Sequence, residues 1–184
     1  SMGKLSDENK KKAREFFKYT ELLENSFIKI TQSKLDLQKI RIHGHYHLSR
    51  VLFTGNDFEI IGFEGDLSFS FHQKKVKKSP LRHLATMVYS ILRIAQLTGV
   101  NNDYDMKYPV RWFHYISGFM VNSYIGHAKG EPFMPTNRED FNMLLEIFLL
   151  ERCLTELRYE IDRKPANIRI PIRLIRYVFD QYTE

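Results

Sequence analysis

The sequence of 184 residues predicts a mainly α-helical protein with one small β-hairpin. Apolar residues recur at helical spacing over most of the chain, which is typical of amphipathic helices. A turn-forming cluster, Gly55-Asn56-Asp57, separates two short β-type segments. No internal repeat or low-complexity linker divides the sequence, so residues 1–184 are predicted to form a single domain.

The amino-terminal half is predicted to hold one helix and three short strands. Residues 6–28 form the helix, which Ser6 can cap, and residues 1–38 as a whole serve as a leading helix and connector. Strands are predicted over residues 39–43, 50–54 and 58–63. The last two pair as a hairpin around the Gly55-Asn56-Asp57 turn.

Four helices are predicted from Pro80 onward. The first follows Ser79-Pro80 and ends at Gly99, because a proline at the first helical position loses no hydrogen bond. The second covers residues 110–128. The third begins at a capping box formed by Thr136 and Glu139, and the fourth begins at Pro171.

Core residues follow from the same periodicity. The first of these helices is predicted to bury Leu81, Leu84, Ala85, Val88, Leu92 and Ala95. The long third helix is predicted to bury Phe141, Leu144, Leu145, Phe148, Leu150, Leu154, Leu157 and Ile161. Trp112, Tyr115 and Tyr124 are interpreted as core residues, with stacking on a sugar as the alternative.

Composition narrows the class of protein. No apolar run approaches the ~20 residues of a membrane span, so no membrane partner is expected. The single cysteine, Cys153, cannot form an internal disulfide, which favours a cytoplasmic protein. The net charge of +6 is concentrated at residues 10–14, 74–78 and 163–176. We interpret these clusters as solvated surface, including the lysines of 74–78 as a solvated loop, because no nucleic-acid motif of a named class accompanies them.

Several segments of the sequence, taken in their order along the chain, resemble those of one protein family. Residues 42–52 read IHGHYHLSRVL, residues 60–65 read IIGFEG, and residues 78–82 read KSPLR. Further on, residues 148–160 read FLLERCLTELRYE and residues 168–173 read IRIPIR. In this order they resemble the HGDYHLGQVL, IIDFEG, KSPLRD, FLLEKALYELRYE and VRIPLRG segments of the bacterial maltokinases. The resemblance covers about residues 40–175.

This resemblance implies the helical carboxyl-terminal lobe of the kinase-like fold, which is also that of aminoglycoside phosphotransferases and, more distantly, protein kinases. Maltokinases phosphorylate maltose with ATP and magnesium and are often fused to, or partnered with, trehalose synthase. No glycine-rich phosphate loop and no paired lysine precede residue 40, so the amino-terminal lobe is expected to be absent from this chain.

The sequence departs from the family at the catalytic positions. His45 stands where such kinases have the aspartate base, Arg50 where an amide binds magnesium, and Gly62 where an aspartate binds it. His83 replaces the aspartate of SPLRD. Histidine can act as a base, but glycine offers magnesium no oxygen ligand and Arg50 adds a positive charge. We therefore expect an inactive domain that uses neither ATP nor magnesium and binds no metal.

The remaining site residues are weaker candidates. His43, Glu64, Glu151 and Arg158 could form a residual sugar site for maltose or a related glucoside, although the resemblance implies that His43 braces the loop. Glu151 and Arg158 share a helix face, and an ion pair that fixes helix packing is the favoured interpretation of this helix's charges. For Arg50 an ion pair with Glu59, Glu64 or Asp66 is favoured over anion binding. Zinc binding by His43, His45 and His47 is a disfavoured alternative.

Three functions remain open. The leading hypothesis is an inactive maltokinase-like domain with a structural, sugar-binding or partner-docking role beside trehalose synthase, in trehalose, maltose and glycogen-type glucan metabolism. The second is an active kinase that recruits Glu64 or Asp66 to hold its metal. The third is a basic module for an acidic partner.

Overall fold

The computed structural model describes residues 24, 25, 27, 28, 31, 35, 37–64, 70–101, 107–163 and 168–180. The chain divides into two compact units, one of residues 35–149 and one of residues 1–34 with 150–184. The described elements are a 3₁₀ turn Leu48–Arg50, β1 Val51–Phe53, β2 Phe58–Ile60, α1 Phe71–Lys75, α2 Leu81–Asn101, α3 Lys107–Ala128, α4 Arg138–Arg163 and α5 Arg169–Asp180. The predicted class, mainly helical with a small hairpin, is confirmed.

The hairpin forms where the turn cluster predicts it. Strands β1 and β2 are antiparallel, with Val51 opposite Ile60 and Phe53 opposite Phe58. The backbone N–H of Thr54 donates to the carbonyl oxygen of Asp57 at 2.9 Å and closes the turn. Gly55 lies there with a φ of +100°, a conformation that favours glycine.

The strand predicted over residues 39–43 is wrong. Ile40 makes only an isolated antiparallel bridge with Lys78, through N–H···O bonds of 3.1 and 2.9 Å. The bridge cannot extend beyond Lys78, because Pro80 has no N–H to donate and the chain turns into α2. A strand needs a partner along its length, and here the partner ends after one residue.

The lysine-rich segment before α2 is partly helical, so the predicted solvated loop is wrong in its first half. Ser70 caps α1: its Oγ accepts from the N–H of Gln73 at 3.3 Å, and its own N–H donates to Oε1 of Gln73 at 2.8 Å. This reciprocal capping box places Lys74 and Lys75 in the last turn of the helix.

Helix α2 agrees with its predicted core face. All six residues of the predicted face are buried, and so are Tyr89 and Gln96, so the helix is enclosed on more than one side. The Leu81 N–H donates to Oγ of Ser79 at 3.3 Å, which is the expected capping bond. The α2 helix packs against α3 within the unit of residues 35–149.

The starts of α4 and α5 differ slightly from prediction. The cap of α4 is Asn137 rather than Thr136, because the N–H of Asp140 donates to the Asn137 side-chain oxygen at 2.8 Å. Helix α5 begins at Arg169, two residues before Pro171. Proline is tolerated there because the first-turn N–H groups have no partner within the helix.

The core interpretation of the α3 aromatic residues is wrong for two of the three. Trp112 is 44% exposed and Tyr115 is 75% exposed, while Tyr124 is half-buried. The buried positions of α3 are Pro109, Phe113, Ser117 and Ala128. Phe113 lies 100° around the helix from Trp112, so burying one turns the other outward. In α4, Ile161 is likewise exposed although the other predicted residues are buried or half-buried.

The helix predicted over residues 6–28 lies mostly outside the described residues, and Glu24, Asn25, Phe27 and Ile28 within it are helical. None of the helices in the described part of the chain combines the length and the apolarity needed to span a lipid bilayer.

Cys153 provides a clean test of the packing around α4. Its side chain is fully buried, and burial raises the pKa of the thiol far above its ordinary value. We expect no reaction with a thiol reagent such as DTNB in the native protein and one equivalent after unfolding in urea. Rapid stoichiometric labelling of the native protein would show that the Cys153 thiol is accessible to the reagent and therefore not buried in the core.

Candidate functional site

The candidate site is built on a loop that follows Ile42 and on the segment that leaves β2. His43 connects them: its Nε2–H donates to the carbonyl oxygen of Ile61 at 2.8 Å. Its Nδ1 accepts from the N–H of His45 at 3.3 Å, which fixes the tautomer with the proton on Nε2. The ring of Phe63 lies 4.9 Å from the His43 ring, centroid to centroid. His43 therefore braces the loop against residues 61–63.

A second histidine supports the same loop from α2. The N–H of Gly44, which has a φ of +82°, donates to Nε2 of His83 at 3.1 Å. Burial, together with the nearby His43, lowers the pKa of His83 to about 4. A neutral ring is needed, because a protonated Nε2 could not accept the bond. The sequence showed only that His83 replaces an aspartate of the maltokinase motif; it did not reveal this contact.

The 3₁₀ turn carries Arg50 at its end. The N–H of Leu48 donates to Oγ of Ser90 in α2 at 3.2 Å, and the N–H of Arg50 donates to the carbonyl oxygen of His47 at 2.8 Å. His45 lies earlier in this loop, with its ring 4.6 Å from that of His47. These bonds hold the backbone that presents Arg50.

Arg50 occupies the space in front of Gly62. The N–H of Ile61 donates to the carbonyl oxygen of Arg50 at 3.0 Å, so the two segments remain paired beyond the hairpin. Gly62 has a φ of +81°, and a Cβ added to it would lie 2.7 Å from Nη1 and 3.0 Å from Cδ and Cζ of Arg50. The guanidinium group therefore lies where a side chain at residue 62 would begin.

Glu64 is the ion-pair partner of Arg50. Its Oε1 lies 3.7 Å from Nη1 of Arg50, and its side chain is 54% exposed. Of the three carboxylates that the sequence offered to Arg50, Glu64 makes this contact, while Asp66 lies outside the described residues. The predicted ion pair is thus present, and it ties the 3₁₀ turn to the segment after β2.

These residues do not fit a magnesium ion. Gly62 supplies no side-chain ligand, and the cationic guanidinium group of Arg50 lies where a side chain on residue 62 would begin. In the part of the chain that the structure describes, no three His, Cys, Asp or Glu side chains are grouped to hold a metal. The disfavoured zinc site of His43, His45 and His47 is therefore not formed.

The sugar-side candidates of α4 belong to the other compact unit. Glu151 is half-buried and Arg158 is exposed. One ion pair in this helix joins Arg152 to Glu156, one turn apart. A role of Glu151 and Arg158 in sugar binding stays a prediction.

Comparison with known proteins identifies the fold. No protein-family model matches the chain. It is similar to a solved glucosamine kinase (crystal form B), with a TM-score of 0.82 and 11% identity over 93% of this chain and 41% of that one. Glucosamine kinase in complex with glucosamine, ADP and inorganic phosphate gives a TM-score of 0.82 at 11% identity, over 94% and 43%. Crystal form A gives 0.80 at 11%, over 94% and 42%.

The chain thus spans about two fifths of the length of these kinases. An identity of 11% supports the fold alone. The chain has a kinase-like fold shared with a sugar kinase, and its mainly helical structure is compatible with the kinase-like helical lobe that the sequence motifs predicted.

Proposed function

We propose that this chain is a catalytically inactive maltokinase-like domain with a structural, sugar-binding or partner-docking role. One observation carries the proposal: the guanidinium group of Arg50 fills the position at which a side chain on residue 62 would start. In the kinases that the motifs resemble, that residue is the aspartate that holds magnesium against the phosphates.

The expected loss in catalytic rate supports the proposal of an inactive domain. A positioned general base contributes roughly 10²- to 10⁴-fold in rate, and His45 could keep part of that. A metal ion that neutralises the developing charge contributes several kcal/mol more. Arg50 does not replace it, because its charge is already paired with Glu64 and it cannot bridge phosphate oxygens as a chelated ion does.

The metabolic setting comes from the motif resemblance. Maltokinases act beside trehalose synthase, so maltose, trehalose and a trehalose synthase domain are the ligands and partner that we propose. The solved glucosamine kinase complex adds glucosamine as a second sugar to examine. The fold similarity supports a sugar-kinase ancestry and leaves the choice among these sugars to experiment.

An active kinase is the second candidate, and Glu64 is the observation that favours it. Its carboxylate is half-exposed beside the Arg50 guanidinium and could turn toward a metal ion. Doing so would separate the 3.7 Å ion pair and bring the cation Arg50 within reach of the incoming metal. This electrostatic cost makes the inactive domain the better proposal.

An assay of phosphoryl transfer from ATP distinguishes the inactive domain from the active kinase. We expect the full-length natural protein to transfer no radiolabelled γ-phosphate from ATP to maltose or glucosamine, with or without magnesium. An active magnesium-dependent sugar kinase serves as the positive control. Magnesium-dependent labelling of maltose that is lost in Glu64→Gln would establish the active-kinase alternative and end the proposal.

A further inference from the structure

A cavity of about 310 Å³ lies beside the loop of the candidate site and shares His43 and Glu64 with it. Three segments line it, and all belong to the compact unit of residues 35–149: residues 41–44, residues 63–64 and part of residues 71–78. A volume near 300 Å³ is at the small end for ligand sites, which suits a compact molecule better than a nucleotide.

The charge of the lining is strongly positive. Among the described residues, Arg41, Lys74, Lys75 and Lys78 line the cavity, against one carboxylate, that of Glu64. That carboxylate already lies 3.7 Å from the guanidinium of Arg50, which is not part of the lining. Lys74 and Lys78 are half-buried, so the field inside the cavity is less screened than at an open surface.

The lining also offers aromatic faces. Phe63 is 72% exposed and Phe71 is 73% exposed, and both border the cavity. The Nζ of Lys75 lies 4.2 Å from the centroid of the Phe71 ring, a cation–π contact that keeps the ammonium group beside this face. Exposed rings next to cations fit a molecule with an anionic end and a ring that can stack.

The walls are held in place before any ligand arrives. The Ile40–Lys78 bridge fixes the two chain segments that carry Arg41 and Lys78. The Ser70–Gln73 capping box fixes the start of α1, which carries Lys74 and Lys75. The bond from His43 to Ile61 fixes the side that carries Phe63. A site that is formed in advance loses less affinity to ordering its groups on binding.

We infer that this cavity binds a small phosphorylated sugar or a similar compact ring carrying a phosphate group. The cations hold the phosphate through charge-assisted hydrogen bonds, and the exposed rings pack against the sugar ring. Binding at this cavity requires neither a metal ion nor phosphoryl transfer, so it holds whether the domain is active or not.

Calorimetric titration at low salt tests the inference, with glucose 6-phosphate, inorganic phosphate and glucose as probes. We expect glucose 6-phosphate to bind more tightly than phosphate, and glucose to show no binding at the same concentrations. The variants Arg41→Gln and Lys74→Gln are each expected to weaken the binding of glucose 6-phosphate roughly tenfold. The matched control Lys129→Gln changes an exposed lysine outside the cavity. Its affinity for glucose 6-phosphate should stay within roughly twofold of that of the parent protein.

Three results would overturn the inference. One is the absence of binding up to millimolar glucose 6-phosphate, with circular dichroism showing folded protein. Another is equal weakening in the cavity variants and in Lys129→Gln, since diffuse surface charge would then explain it. The last is tighter binding of a single-stranded oligonucleotide with the same loss in all three variants, which would assign the basic residues to nucleic acid.

Discussion

Gly62→Ala is expected to destabilise the protein more than Gly44→Ala does. The two glycines have nearly the same φ, +81° at Gly62 and +82° at Gly44. A Cβ in this region costs about 1–2 kcal/mol in either position. At Gly44 a Cβ would meet nothing within 4 Å, whereas at Gly62 it would meet Arg50 at 2.7 Å. The difference between the two variants therefore reports the Arg50 contact alone.

The Arg50 side chain is flexible, so it can move aside, but in doing so it gives up its place beside Glu64. We expect an added cost of roughly 1 kcal/mol for Gly62→Ala over Gly44→Ala, measured by urea unfolding. In the background Arg50→Ala the extra cost should vanish and the two alanine variants should agree. If Gly62→Ala is no worse than Gly44→Ala in the parent protein, Arg50 does not occupy this space.

The stability of the protein is expected to fall as the pH drops from about 6.5 toward 4, and His83 is expected to cause part of the loss. Its pKa in the folded protein is lowered to about 4, from 6.5 in an unfolded chain. Between these values the unfolded state binds a proton that the folded state does not, so acid favours unfolding. Since each pKa unit corresponds to about 1.4 kcal/mol, and the ring is partly exposed, we expect roughly 1–2 kcal/mol from this residue.

His83→Gln separates this contribution from that of the carboxylates. The glutamine oxygen can accept the bond from the Gly44 N–H but does not titrate. Urea unfolding of both proteins at pH 7 and pH 4.5 should show a smaller acid loss in the variant. Equal losses in the two proteins would mean that His83 is not held neutral by its surroundings.

Local signals predicted much of the fold. The turn at Gly55 correctly placed the hairpin, and helical periodicity correctly gave the buried face of α2. The isolated Ile40 bridge could not be predicted, since it depends on where Lys78 lies in space. The Ser70–Gln73 pair does match the capping-box pattern that was used at Thr136, so α1 was detectable. Trp112 was misassigned because an aromatic residue at helical spacing can lie on either side of a partly exposed helix.

Some features of the candidate site could be predicted from the sequence, and others could not. The differences from the maltokinase motifs are visible in the sequence. The hairpin register explains why Arg50 meets Gly62, since Val51 opposite Ile60 sets Arg50 opposite Ile61. The contact between Arg50 and Gly62 was therefore predictable from the turn. The bond from Gly44 to His83 was not, because it joins residues 39 positions apart through tertiary packing. The basic cavity was hidden for the same reason, since Arg41 and the α1 lysines meet only in the fold.

Manganese binding tests the proposed loss of a metal site most directly. In the presence of ATP, we expect the electron paramagnetic resonance signal of free Mn²⁺ to be the same with and without this protein, while a magnesium-dependent sugar kinase depletes it. Depletion of one Mn²⁺ per chain that disappears in Glu64→Gln would contradict the assignment, because it would show that the Arg50–Glu64 pair opens to admit a divalent ion.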